Sequence, residues 1–133
     1  MKYATFLIIF VLSNTAIGQD CLLSGEWVSN EEMTLTSMNS SGKINEKQRK
    51  LLSSDFFGKL KLTYTCNSVT SLFEGQSRIS TYELVRNENG GFIMKSIVDD
   101  VKYDQEIWFT DDNRCYYSVV GKLNFNEYFC KSN

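Results

Sequence analysis

From Lys59 to the end of the chain, apolar and polar side chains alternate with a period of two. Leu60, Leu62 and Tyr64 interleave with Lys59, Lys61 and Thr63, the pattern of a strand that buries one face and wets the other. Runs of the same kind recur at residues 69–73, 79–85, 92–98, 105–109, 115–120 and 125–130. Turn-forming residues separate them: Asn67-Ser68, Glu74-Gly75, Asn87 to Gly91, Asp99-Asp100, Asp111-Asp112-Asn113 and Gly121.

Upstream the pattern changes. Residues 25–29 read as a first short strand, and Asn30-Glu31-Glu32 offers an N-cap followed by two acids that a helix dipole favours. Residues 33–38, Met-Thr-Leu-Thr-Ser-Met, fit a helix turn and a strand equally well, and residues 39–42 are loop. Asn45 and Gln48 make a capping box that opens a helix over residues 46–57, with Leu51, Leu52 and Phe56 along its inward face and Gly58 at its end. No proline, repeat or low-complexity linker interrupts the chain from Cys21 to Lys131, so it forms one cooperative unit. The expected fold is mainly β: about eight strands in an antiparallel up-and-down barrel, with a helical insertion after the first strand covering one end. Closing such a meander removes its exposed edges.

Leu23-Ser24-Gly25-Glu26-Trp27 sets a Gly-x-Trp on the first strand. With that motif and this order of elements, residues 22–131 resemble the calycin superfamily of lipocalins and fatty-acid-binding proteins, and most closely a compact lipocalin-like secreted bacterial protein. The resemblance implies helices lidding the barrel mouth, as in the fatty-acid-binding branch, and an apolar or amphipathic ligand taken at that mouth. Where lipocalins carry an Arg near the chain end over the tryptophan, this chain offers Lys131, or Arg114 from a turn. Their Thr-Asp-x-x-Tyr is represented only by Thr110-Asp111, with Tyr116 at a different spacing.

The first residues carry a different signal. Lys2 precedes an apolar run from Ala4 to Leu12, and Ala16 and Gly18 supply the small residues that signal peptidase requires before Gln19. Nine residues of helix reach only about 13 Å, against about 30 Å for a bilayer core. Residues 1–18 are therefore read as a cleaved leader and residues 19–133 as the single domain, secreted or periplasmic, with no stable membrane insertion after cleavage. Losing Lys2 leaves 13 basic against 16 acidic side chains, a net charge near −3 with no basic patch to suggest nucleic acid.

Four cysteines, all beyond the leader, fit an oxidising compartment. Cys115 and Cys130 flank a candidate hairpin and would face each other across it, leaving Cys21 and Cys66 to pair. Two other connectivities stay open, one of them Cys21 to Cys130.

The chain contains no histidine, which removes the commonest general base, the commonest metal ligand and the Ser-His and Cys-His nucleophile pairs. Asp99-Asp100 and Asp111-Asp112-Asn113 sit at turns, where such residues hydrogen-bond their own backbone. The expectation is a non-enzyme without cofactor or metal. Trp27, Tyr64, Phe73, Tyr82, Phe92 and Trp108 are the candidate aromatic lining of a ligand site, joined by Leu52 and Phe56 from the helix. Tyr116, Tyr117, Tyr128 and Phe129 crowd the last hairpin, and any that face outward would suit a protein partner. Two functions follow: a small extracytoplasmic binding module for an apolar or amphipathic ligand, or an interaction protein, such as an inhibitor or toxin-neutralising partner, acting through its surface.

Overall fold

The computed structural model describes residues 21–53 and 57–132. The expected leader and Phe56 lie outside the described residues. Eight strands run in chain order: β1 (Gly25–Ser29), β2 (Lys61–Tyr64), β3 (Ser68–Phe73), β4 (Gln76–Arg86), β5 (Phe92–Val98), β6 (Val101–Phe109), β7 (Cys115–Val120) and β8 (Phe125–Lys131). Each pairs antiparallel with the next, and β8 pairs back onto β1, so the sheet closes into a barrel compatible with a calycin-like fold. Two helices, α1 (Glu31–Asn39) and α2 (Glu46–Ser53), lie between β1 and β2.

The tight turns follow from local chemistry. Glu74 and Gly75 join β3 to β4 with φ of 49° and 80°, and Asp99 and Asp100 join β5 to β6 with φ of 50° and 63°. Two successive left-handed residues make the hairpin turn whose twist matches the strands. β4 and β6 are longer than the apolar alternation suggests. Their added residues, Gln76 to Arg78 and Val101 to Asp104, are exposed, so the ladder between strands holds them without a buried face.

The ambiguous stretch 33–38 is helix. Asn30 caps α1 by accepting from the Met33 N–H at 2.9 Å. The helix then runs beside β8, beyond the point where β1 stops pairing with it. There Thr34 Oγ1 and Ser37 Oγ accept the N–H groups of Tyr128 (3.0 Å) and Asn126 (2.8 Å). Two hydroxyls on one helix face thus stand in for a neighbouring strand.

α2 opens as the sequence predicts: Asn45 Oδ1 accepts from the Gln48 N–H at 2.8 Å, and Gln48 Oε1 from the Asn45 N–H at 3.0 Å. Its inward face is narrower than expected. Leu51 is 71% exposed and faces solvent, while Leu52 is half-buried against a cluster of Met38, Ile44, Phe57 and Phe125. The helix is described as far as Ser53, residues 54–56 lie outside the described residues, and Phe57 is not helical.

Both disulfides are formed, Cys115–Cys130 and Cys21–Cys66. Cys115 and Cys130 are direct cross-strand partners on β7 and β8. Met33 of α1 lies over this bridge, its sulfur 3.8 Å from Cys130 Sγ and 4.0 Å from Cys115 Sγ. Cys21–Cys66 ties the chain segment before β1 to the turn between β2 and β3.

Candidate functional site

Direct cross-strand partners share a face, and successive residues of a strand alternate between faces. Applied to the registers, these rules sort every strand residue into barrel interior or exterior. The interior falls into three tiers.

The first tier is a closed floor of apolar and aromatic side chains. Trp27 is fully buried at its centre, and its indole N–H donates to the Leu23 carbonyl at 2.7 Å. Around it Tyr116 and Phe109 meet the indole edge-on, with centroids 5.0 and 6.2 Å away. Tyr64 meets Tyr82 edge-on at 5.2 Å, and Phe129 stacks on Tyr116 at 5.3 Å. Val69, Leu84, Phe92, Met94 and Ile107 complete this cluster. The hydroxyls of Tyr64 and Tyr116 pair at 2.8 Å in the core. Burial raises both phenols, Tyr64 to about 12, so the pair is neutral.

One inward step toward the opposite end, the chemistry changes on every strand but β2. Trp27 gives way to Ser29, Val69 to Ser71, Tyr82 to Ser80, Met94 to Ser96, Ile107 to Gln105, Tyr116 to Ser118 and Phe129 to Glu127. On β2 the corresponding residue is Leu62, the partner of Trp27. A belt of short polar side chains therefore rings the barrel just above its aromatic floor. Gln105 Nε2 donates to Ser118 Oγ at 2.8 Å, and Ser29 Oγ accepts from the Gly58 N–H at 3.0 Å. Glu127 stands opposite Ser118. Among the described residues its carboxylate has no hydrogen bond or ion pair, and burial alone pushes its pKa up.

A further inward step is again largely apolar: Leu60, Phe73, Val98, Tyr103, Val120 and Phe125, with Arg78 among them. This is the rim. Phe73, Val101 and Tyr103 are 39, 50 and 53% exposed there, and Arg78 pairs with Asp99 at 3.8 Å. Eight strands enclose a space that large side chains fill or that holds one small ligand. The floor tier is filled by mutually packed rings, and the belt tier is built largely of serines, whose side chains are far smaller.

The sequence-predicted lining is thus divided. Trp27, Tyr64, Tyr82 and Phe92 come together, but as mutually packed core in the floor. Phe73 is at the rim, and Leu52 lies beneath α2 in the second cluster. Trp108 is not inside. Its neighbours Ile107 and Phe109 take the inward positions, so its ring stacks on Tyr117 outside at 5.7 Å. A Cβ on Gly91 would come within 2.6 Å of the Trp108 indole nitrogen, so only glycine leaves the ring its seat. Of the last hairpin's aromatics, Tyr116 and Phe129 face in, while Tyr117 and Tyr128 pair on the outside at 5.1 Å.

The belt residues Ser80, Ser96, Gln105, Ser118 and Glu127 were missed at the level of sequence. Their signal was present: in Met94-x-Ser96-x-Val98, Tyr116-x-Ser118-x-Val120 and Phe125-x-Glu127-x-Phe129, a polar residue occupies the apolar phase of a strand. The acidic turns behave as their residue types suggest. Asp112 accepts from Thr110 Oγ1 (2.6 Å) and the Arg114 N–H (3.0 Å), and the Thr110 hydroxyl leads in holding its pKa below the usual range.

Two of the molecule's concavities border β6. A cleft of about 700 Å³ is lined by Thr81, Tyr82, Glu83, Lys95, Ser96, Ile97, Lys102 and Asp104 of β4–β6, with Lys95 and Asp104 paired at 3.5 Å. A second of about 300 Å³, lined by Asp104, Gln105, Glu106, Trp108 and Val119, opens at the seam between β6 and β7. The backbone register there covers only Trp108↔Tyr117 and Phe109↔Tyr116, and the Gln105–Ser118 side-chain bond continues the closure.

Compared with known proteins, the chain matches no protein-family model, no curated sequence and no solved structure.

Proposed function

We propose that this chain is an exported, lipocalin-like binding module that takes one small amphipathic molecule, head first, into the open half of its barrel. The observation that carries this reading is the order of the tiers: aromatic floor, polar belt, apolar rim. Hydroxyls, an amide and a carboxyl at interior positions of the barrel offer hydrogen-bond donors and acceptors that suit a polar ligand head. The apolar rim above then meets the ligand's tail. The two disulfides are consistent with an extracytoplasmic site of action.

A protein partner is the second reading. It is favoured by Leu72, Ile79 and Ile97, all exposed on the outer face of β3–β5. Native mass spectrometry of protein recovered from its own source separates the two. The binding reading expects a small adduct that survives desalting and leaves on denaturation. Protein that carries no adduct, and whose melting temperature no amphiphile raises, would count against it.

A further inference from the structure

Glu127 is the one ionisable side chain in the polar belt. It lies between the two apolar clusters, with Phe129 of the floor two residues after it and Phe125 of the second cluster two residues before it. Across the ladder it faces Ser118, whose hydroxyl already receives Gln105. The buried floor phenols Tyr116 and Tyr64 are neutral and bonded to each other. The rim cation Arg78 is exposed and paired with Asp99. None of these groups supplies a positive charge to the carboxylate.

Resting on the ligand-binding reading above, we propose that Glu127 selects the ligand's head group, and that the preferred class is an amphiphile with a protonated amine on an apolar tail. An ammonium group on the belt ion-pairs with Glu127 and has three N–H donors, a further one of which the hydroxyl of Ser118, directly opposite Glu127, can accept. An anionic head in the same place meets an uncompensated like charge next to apolar walls, where attraction and repulsion are both stronger than in water. A neutral alcohol meets neither.

Calorimetric titration with decylammonium, decanol and decanoate, each below its micelle concentration, tests this. The wild type should bind the amine at least about tenfold tighter than the alcohol, as a hydrogen bond to a charged group predicts, and the alcohol tighter than the acid. Glu127→Gln, close in shape, should bring the amine level with the alcohol and improve the acid. Glu83→Gln, on the outer face, should leave the order unchanged. In the wild type the amine's advantage should also fade as acid protonates Glu127, a readout that needs no variant. An alcohol that binds as tightly as the amine, or an order untouched by Glu127→Gln, would overturn the role of Glu127 while leaving the binding module standing. Failure of all three probes to bind would overturn both.

Discussion

Thr34 Oγ1 accepts the backbone N–H of Tyr128 at 3.0 Å, so a helix side chain completes the edge of a strand 94 residues away in sequence. Thr34 is fully buried, which leaves that N–H no access to water as an alternative. Thr34→Val keeps the shape and removes the acceptor. It should lower stability by about 1–3 kcal/mol, the cost of a stranded buried donor, while Thr34→Ser should retain the bond. Urea melts of the two variants check this, and a Thr34→Val midpoint equal to wild type would mean that α1 does not cap β8.

Lys131 on the last strand lies over the buried tryptophan of the first. Its Nζ lies 5.4 Å from the centroid of the Trp27 ring. Lys131→Met should cost about 0.5–1 kcal/mol, the range for an exposed cation over a ring, and Lys131→Arg should cost nothing. Chemical denaturation followed by tryptophan fluorescence measures both.

The two bridges close loops of unequal length, with sequence separations of 45 and 15 residues. On chain entropy alone, opening Cys21–Cys66 by a paired Cys→Ala change should cost about 4 kcal/mol and opening Cys115–Cys130 about 3 kcal/mol. Comparing the two double variants tests that order. Peptide mapping without reductant should recover only these two pairings.

Glu127 gives the fold a pH signature. Burial raises its pKa above the ordinary 4.5, so the folded chain holds this proton more tightly than the unfolded chain does. Stability from this group is therefore highest below pH 4.5 and falls as pH rises through the folded value. Glu127→Gln should be more stable than wild type at neutral pH, and the gap should close on acidification below about 4.5. Thermal melts across that range decide it; a gap that widens in acid would contradict the burial of the carboxyl.

Much of the barrel was legible because strand periodicity is local. All eight strands, the turn residues between them and the capping box of α2 follow from neighbours within a few positions. Residues 33–38 were not legible, because their hydroxyls suit a strand face as well as a helix face. What decides for helix is the unpaired edge of β8, some ninety residues away, which needs acceptors at Thr34 and Ser37. Where the candidate lining sits in the barrel is harder to read from sequence, for a related reason. Aromatic residues drew attention as lining, yet in so narrow a barrel large rings pack against one another and become floor. Ile107, Trp108 and Phe109 form an unbroken apolar run with no legible phase, and the pairing of Ile107 with Phe92 is what turns Trp108 outward.

A ligand entering above the floor would sit against the belt, and amide chemical shifts locate such a ligand directly. Labelled with ¹⁵N and titrated with decanol, the protein should show saturable shifts at Ser71, Ser80, Ser96, Gln105, Ser118 and Glu127, with little change at outward-facing Thr81, Glu83, Lys95 and Ile97. Shifts confined to that outer face, or none at all, would contradict the ligand-binding reading.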